Sequence, residues 1–135
     1  MIKQTIDGGK TWIDKSLRSI YSNLSINYIH FADQKNGVIL GSDYDGAVFG
    51  KTGDGGLNWK FTSLAVRNTL YSGCFAGKDN FFCVGERGLI LNSKDNGLFW
   101  SFPGAIIPST LSQIAFSDSL HGWAVGEDST ILNTI

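Results

Sequence analysis

Three features of the sequence predict an all-β chain: repeated four-stranded antiparallel sheets arranged as the blades of a β-propeller. An eight-residue turn motif is written three times, at Thr5 to Trp12, Thr52 to Trp59 and Ser93 to Trp100. Its pattern is hydroxyl, any, Asp, any, Gly, two more, Trp. The copies are evenly spaced: Thr52 to Ser93 is 41 residues, Ser93 to Thr134 is 41 again, and Thr5 to Thr52 is 47. Four short strand-like stretches fill each interval, and a period near 41 with four strands matches one propeller blade.

A second set of landmarks keeps the same register. Phe31, Phe75 and Phe116 each precede a glycine (Gly41, Gly85, Gly126) by ten residues. Trp59 to Phe75 and Trp100 to Phe116 both span 16 residues, against 19 for Trp12 to Phe31. The extra length of the first interval is therefore split between the Trp-to-Phe stretch and the stretch from Gly41 to Thr52.

Within each unit the first strand alternates (Ile26 to Phe31, Leu70 to Phe75, Leu111 to Phe116). After a short polar turn, the second is almost continuously apolar (Gly37 to Gly41, Phe81 to Gly85, Gly122 to Gly126). The third strand (Ala47 to Gly50, Leu89 to Asn92, Thr130 to Asn133) runs into the Asp-bearing turn, and the fourth opens with the Trp. The boundaries that follow are a partial blade over 1–23, blades over 24–69 and 70–110, and a partial blade over 111–135. No stretch reads as a helix; Trp12 to Leu24 holds too many Ser and β-branched residues.

The repeated turn has its own chemistry. Asp7, Asp54 and Asp95 are placed to accept hydrogen bonds from backbone N–H groups just ahead of them. Gly9, Gly56 and Gly97 take a positive φ. Trp12, Trp59 and Trp100 begin the returning strand and bury their rings between neighbouring units. Asp95-Asn96-Gly97 is suggestive of a calcium loop, but the further ligands of such a loop are missing. The turn is read as structural, with no metal and no cofactor expected.

Composition narrows the function. A chain of 135 residues is one domain with a real core. Eleven basic against 12 acidic side chains give a net charge of −1, and without a basic stripe nucleic acid is excluded as the main partner. Gly at 17 residues and charged side chains at only 17 % suit short strands joined by tight turns. No apolar run reaches the roughly 18 to 20 residues that span a bilayer. The first residues lack the basic-then-apolar order of a signal peptide.

At this point the residues resemble a known family. The turn copies are similar to the Asp-box, or bacterial-neuraminidase, repeat. The wider frame of Asp118, Gly122, Trp123, Val125, Gly126, Ile131, Leu132 and Thr134 resembles propellers of the photosystem II stability and assembly factor type. The resemblance covers essentially the whole chain and implies a fold more firmly than a function, since Asp-box propellers include sialidases, receptors, carbohydrate binders and assembly factors. It implies an extracytoplasmic location, periplasmic or secreted. By the same analogy Arg18, Arg67 and Arg87 are anchors for a protein partner. Because the chain has strands for only about three blades, two readings stay open: a segment of a longer propeller, or a half-propeller that closes a ring by dimerising.

The enzyme alternative is a sialidase-like site, which the resemblance ties to an arginine triad with a Tyr/Glu nucleophile pair. Arg18, Arg67 and Arg87 do not fall at equivalent blade positions, so convergence on one carboxylate is not expected. A non-enzymatic scaffold is the favoured reading, with glycan binding on Tyr21, Tyr28, Tyr44 or Tyr71 as the alternative. Trp123 reads as core. Cys74 and Cys83 are expected to face each other across one hairpin, and free thiols are favoured over a strained cross-strand disulfide.

Overall fold

The computed structural model describes residues 2–15, 23–103 and 107–134, and among them 12 strands form four antiparallel meanders. The first pairs β1 (Ile2–Gln4) with β2 (Ile13–Lys15). The second is a complete blade, β3 (Ser25–Phe31), β4 (Gly37–Ser42), β5 (Ala47–Thr52) and β6 (Lys60–Ser63). The third holds β7 (Leu70–Phe75), β8 (Phe81–Gly85) and β9 (Ile90–Ser93), and the fourth β10 (Leu111–Phe116), β11 (Gly122–Gly126) and β12 (Ile131–Asn133). The fourth strand of the third unit shrinks to one bridge, Asn92 to Ser101. Pro103 follows two residues on and brings no N–H to extend a ladder. A single 3-10 turn at Glu86–Gly88 interrupts the strands, and no α-helix occurs among the described residues.

The sheets stack face to face, and the second strand of each unit explains why. Along β8 the side chains alternate between two cores. Phe81 and Cys83 join Val38, Leu40, Phe49, Leu70 and Leu91 on one side. Phe82 and Val84 join Leu111, Ile114, Ala124 and Leu132 on the other. A strand buried on both faces has no use for polar alternation, hence the apolar run read in the sequence. β4 is the same, with Val38, Ile39 and Leu40 all at 2 % exposure or less.

Each first strand carries a register shift at the same place: between Ile26 and Tyr28, Leu70 and Ser72, and Leu111 and Gln113. The bulge inserts one residue into the ladder of the first and second strands, and its recurrence shows the repeat extends to backbone detail.

The Asp-bearing turns share one hydrogen-bond scheme. Thr52 Oγ1 accepts from Gly56 N–H at 3.0 Å and donates to Asp54 Oδ1 at 2.8 Å, which accepts from Asn58 N–H at 2.9 Å. Ser93, Gly97 and Asp95 repeat this at 2.7 and 2.9 Å, with Phe99 N–H on Asp95 at 2.9 Å. Thr5, Gly9, Asp7 and Thr11 repeat it again. Gly97 sits at φ 91°, and a Cβ there would lie 2.3 Å from the Phe49 ring, so two constraints favour glycine. Hydrogen bonds from the side chain and backbone of Thr11 hold Asp7 down at about 2. Those from Asn58 hold Asp54 at about 2, and the Phe99 N–H lowers Asp95.

Trp59 and Trp100 each donate from Nε1 to the turn glycine carbonyl, Gly56 and Gly97, at 3.2 Å. Trp100 then packs edge-on against Phe49 at 5.1 Å and Phe81 at 6.3 Å between the second and third sheets.

Four expectations require correction. Trp12, expected between units, is 58 % exposed, because among the described residues no sheet receives it. Trp123, expected in the core, is 47 % exposed, because it lies on the face of β11 turned away from the third sheet. Tyr28, expected as an exposed platform, is half-buried against the first core cluster, and burial pushes its hydroxyl up to about 12. Cys74 and Cys83 are not cross-strand partners: Cys74 pairs with Phe82 and Gly73 with Cys83. Ala76 N–H bonds the Asn80 carbonyl at 2.8 Å, which closes a five-residue loop rather than the four-residue turn expected. The slip by one residue sends the two thiols to opposite faces of the sheet, and both are free.

Two predictions follow from these contacts. Trp100→Ala should cost about 3–5 kcal/mol in urea denaturation, and a cost under about 1 kcal/mol would refute its role in packing the two sheets. Asp7 and Asp54 have folded pKa values of about 2, below the ordinary 3.8. Their stabilisation is therefore complete above the ordinary value and lost as pH falls from 3.8 toward 2. Asp54→Asn should flatten the fall in urea midpoint across that window; an unchanged slope would show that the turn carboxylate does not couple to folding.

Candidate functional site

The second-to-third-strand turns and the linkers between sheets gather at one end of the stack, opposite the Asp-bearing turns. Linker 64–69 ties two of these turns together. Val66 carbonyl accepts from Ala47 N–H at 2.7 Å, and Thr69 carbonyl from Glu86 N–H at 3.0 Å. Linker 107–110 repeats the second contact through Thr110 and Glu127 N–H at 2.9 Å. The close approach needs glycine: a Cβ on Gly46, at φ 135°, would lie 2.2 Å from the Val66 carbonyl oxygen. The rim is thus a set of short loops pinned to each other by backbone bonds.

Arg67 belongs to the first of these linkers, one residue after the carbonyl pressed against Gly46. Arg87 occupies the tip of the 3-10 turn at φ 54°, a left-handed conformation that turns the chain sharply into β9. Both are exposed, and neither forms a salt bridge with a described carboxylate. The structure places Arg67 and Arg87 on the same rim of two adjacent sheets. Arg18 lies outside the described residues.

Around them the rim carries acid as well as base. Glu86 accepts from Thr69 N–H at 3.0 Å and from the Tyr71 hydroxyl at 3.2 Å. The Thr69 backbone bond holds Glu86 below the usual carboxylate range, while desolvation and Glu86 raise Tyr71. Asp43 Oδ1 caps its own turn through Asp45 N–H at 2.9 Å and Gly46 N–H at 3.2 Å. Tyr44, between them, projects at 87 % exposure. Sequence reasoning singled out Tyr44 and Tyr71 but missed Glu86; the signal was there as the Gly-Glu pair that ends two second strands, Gly85-Glu86 and Gly126-Glu127.

The opposite end offers clefts between sheets. One of ≈ 560 Å³ is lined by His30, Asn36, Lys51, Lys78 and Asp79, and another of ≈ 680 Å³ by Lys3, Ile29, Phe31 and Trp59. His30 stacks on Tyr28 with ring centroids 6.5 Å apart, so it is held as a structural aromatic. His121 and Asp118 sit 2.9 Å apart, Nδ1 to Oδ2, and both are exposed. The neighbouring Ser117 hydroxyl donates to the His121 carbonyl at 3.2 Å rather than to the imidazole. Among the described residues no group of three or more His, Cys, Asp or Glu side chains is placed to hold a metal ion. No described helix is long and apolar enough to cross a membrane.

No family profile and no curated protein matches the chain. Several solved structures are similar, two of them YCF48. YCF48 bound to D1 peptide is 23 % identical, with a TM-score of 0.71 over 83 % of this chain and 37 % of that one. YCF48 from Cyanidioschyzon merolae is 16 % identical, with a TM-score of 0.79 over 98 % of this chain and 43 % of that one. The chain therefore spans less than half the length of either. In fold it is a partial β-propeller, similar to that of YCF48.

Proposed function

We propose that the chain is a non-enzymatic propeller scaffold that binds a protein partner, or aids assembly of a complex, through the rim bearing Arg67 and Arg87. The carrying observation is that two exposed guanidiniums, neither in a salt bridge with a described carboxylate, stand on loops pinned to the sheets. The backbone that carries them loses little freedom on binding, and Arg presents a carboxylate with a two-pronged donor. The partner's chemistry is accordingly a peptide segment carrying side-chain or terminal carboxylate. Arg18 is included in this surface on the sequence reading. That one similar structure is of YCF48 bound to D1 peptide supports a peptide as the class of ligand.

Two finer readings accompany it. The chain self-associates into a closed ring, which would cover sheet edges that otherwise invite aggregation. As the alternative to a protein ligand, a glycan would stack on Tyr44, whose 87 % exposure at a loop tip is the observation in its favour.

Replacing Arg18, Arg67 and Arg87 together by Ala should weaken capture of a carboxylate-bearing partner peptide at least about tenfold, read by surface binding at two salt concentrations. Undiminished capture by the triple variant would discard the arginine rim. Glycan-array signal that disappears in Tyr44→Ala would move the assignment to carbohydrate.

A further inference from the structure

Between the third and fourth sheets lies an apolar cleft of ≈ 270 Å³ lined by Phe82, Ile90, Pro103, Phe116, Gly122 and Leu132. The repeat says what belongs there. In the second sheet the Phe31 ring lies over Gly37, where a Cβ would be 2.7 Å from it, and the Trp59 indole meets Phe31 edge-on at 6.1 Å. In the fourth sheet Phe116 lies over Gly122 in the same way, at 2.6 Å. Ile90 holds the place that Phe49 occupies against Trp100 one sheet earlier, as the pairings Val84↔Ile90 and Leu40↔Phe49 show. Trp123 of β11 also lines the cleft, but among the described residues no tryptophan of an Asp-bearing turn does, and Phe82 and Phe116 stack along it at 4.7 Å.

Trp12 is the complementary feature. It is 58 % exposed, at the start of β2, and β2 is joined to β1 by only three residue pairs. In the fourth sheet Ile131-Leu132-Asn133-Thr134 stands in the frame of Ile2-Lys3-Gln4-Thr5, so β12 is an alternative partner for β2. Two sheet faces point to the same arrangement. Trp123, Val125 and Ile131, exposed at 47, 37 and 71 %, hold the positions of Val38, Leu40 and Phe49, which the next sheet buries to 3 % or less. Ile29 and Phe31, at 51 and 39 %, lie on the opposite face of the second sheet.

We infer that a second copy of this chain completes the fourth sheet: its β2 pairs with β12 in place of β1, and its Trp12 seats between Phe82, Ile90 and Phe116. The exchange is reciprocal, so each copy supplies one seat and one indole, as a twofold interface requires. The completed sheet then lays Trp123, Val125 and Ile131 against the Ile29 and Phe31 face of the partner. This inference rests on the self-association reading above, and adds to it the strand, the indole and the cleft.

Light scattering of the 135-residue chain should give twice the 14.7 kDa of one copy, and Trp12→Ala should weaken that dimer at least about tenfold. A second experiment does not depend on how Trp12→Ala folds. Gln4 pairs with Ile13, and Asn133 holds the Gln4 position in β12. Mixing Ile13→Cys protein with Asn133→Cys protein under mild oxidation should give a disulfide-linked heterodimer that neither variant mixed with the unsubstituted chain forms. A dimer that survives Trp12→Ala and does not cross-link would overturn this interface and leave self-association standing. A monomer at every concentration would overturn both.

Discussion

The structure depends on burying the second strand of each unit on both faces. A single twisted sheet of three or four short strands has too little apolar surface to hold itself, and one face left in water would leave Val38, Phe82 or Val84 without partners. Stacking solves this fully for the third unit, since β8 has a packed core on either side, and less so for the units at the ends of the stack. Aromatic rings give the contact its shape. Phe49, Phe81 and Trp100 meet at 5.1 to 6.3 Å in tilted or edge-on pairs, and Phe75 closes on Phe81 at 4.7 Å. Each such pair contributes about 0.5–1.5 kcal/mol beyond its area and fixes how one sheet lies on the next.

That constraint separates the two ends of the stack. At one end the Asp-bearing turns are closed circuits in which hydroxyl, carboxylate and backbone N–H satisfy each other, so they hold strands three and four together. At the other end the linkers pass from one sheet to the next and borrow hydrogen bonds from the loops they cross. The first end is occupied with its own structure. The second fixes exposed side chains, Tyr44, Arg67 and Arg87 among them, on backbone that has little freedom. Positioning by a rigid scaffold is the usual basis of recognition by loops.

The same constraint makes the outermost sheets unlike the inner ones. Val125 and Ile131 have the residue types of buried positions but not the burial, and Trp12 has the sequence of its half-buried counterparts without their neighbours. Residues at equivalent places in a repeat differ here through what stands beside them and not through their own chemistry. The repeat extends to such contacts: Phe116 over Gly122 copies Phe31 over Gly37.

The sequence by itself determined the all-β architecture, the repeat and its frame, and the location of the Asp-bearing turns. These are local properties: a positive-φ glycine, a capping carboxylate and an apolar run bounded by turns leave their mark within eight or ten residues. Only the tertiary structure decided which tryptophans are covered, because burial of Trp12, Trp100 and Trp123 depends on a neighbouring sheet remote in sequence. It also decided the register that separates Cys74 from Cys83, since a loop one residue longer, closed from Ala76 to Asn80, shifts the side chains of β7 to the opposite face relative to those of β8. Glu86 and its bonds to Thr69 and Tyr71 were hidden for the same reason: the partners lie 15 and 17 residues away and meet only when linker and turn are folded together.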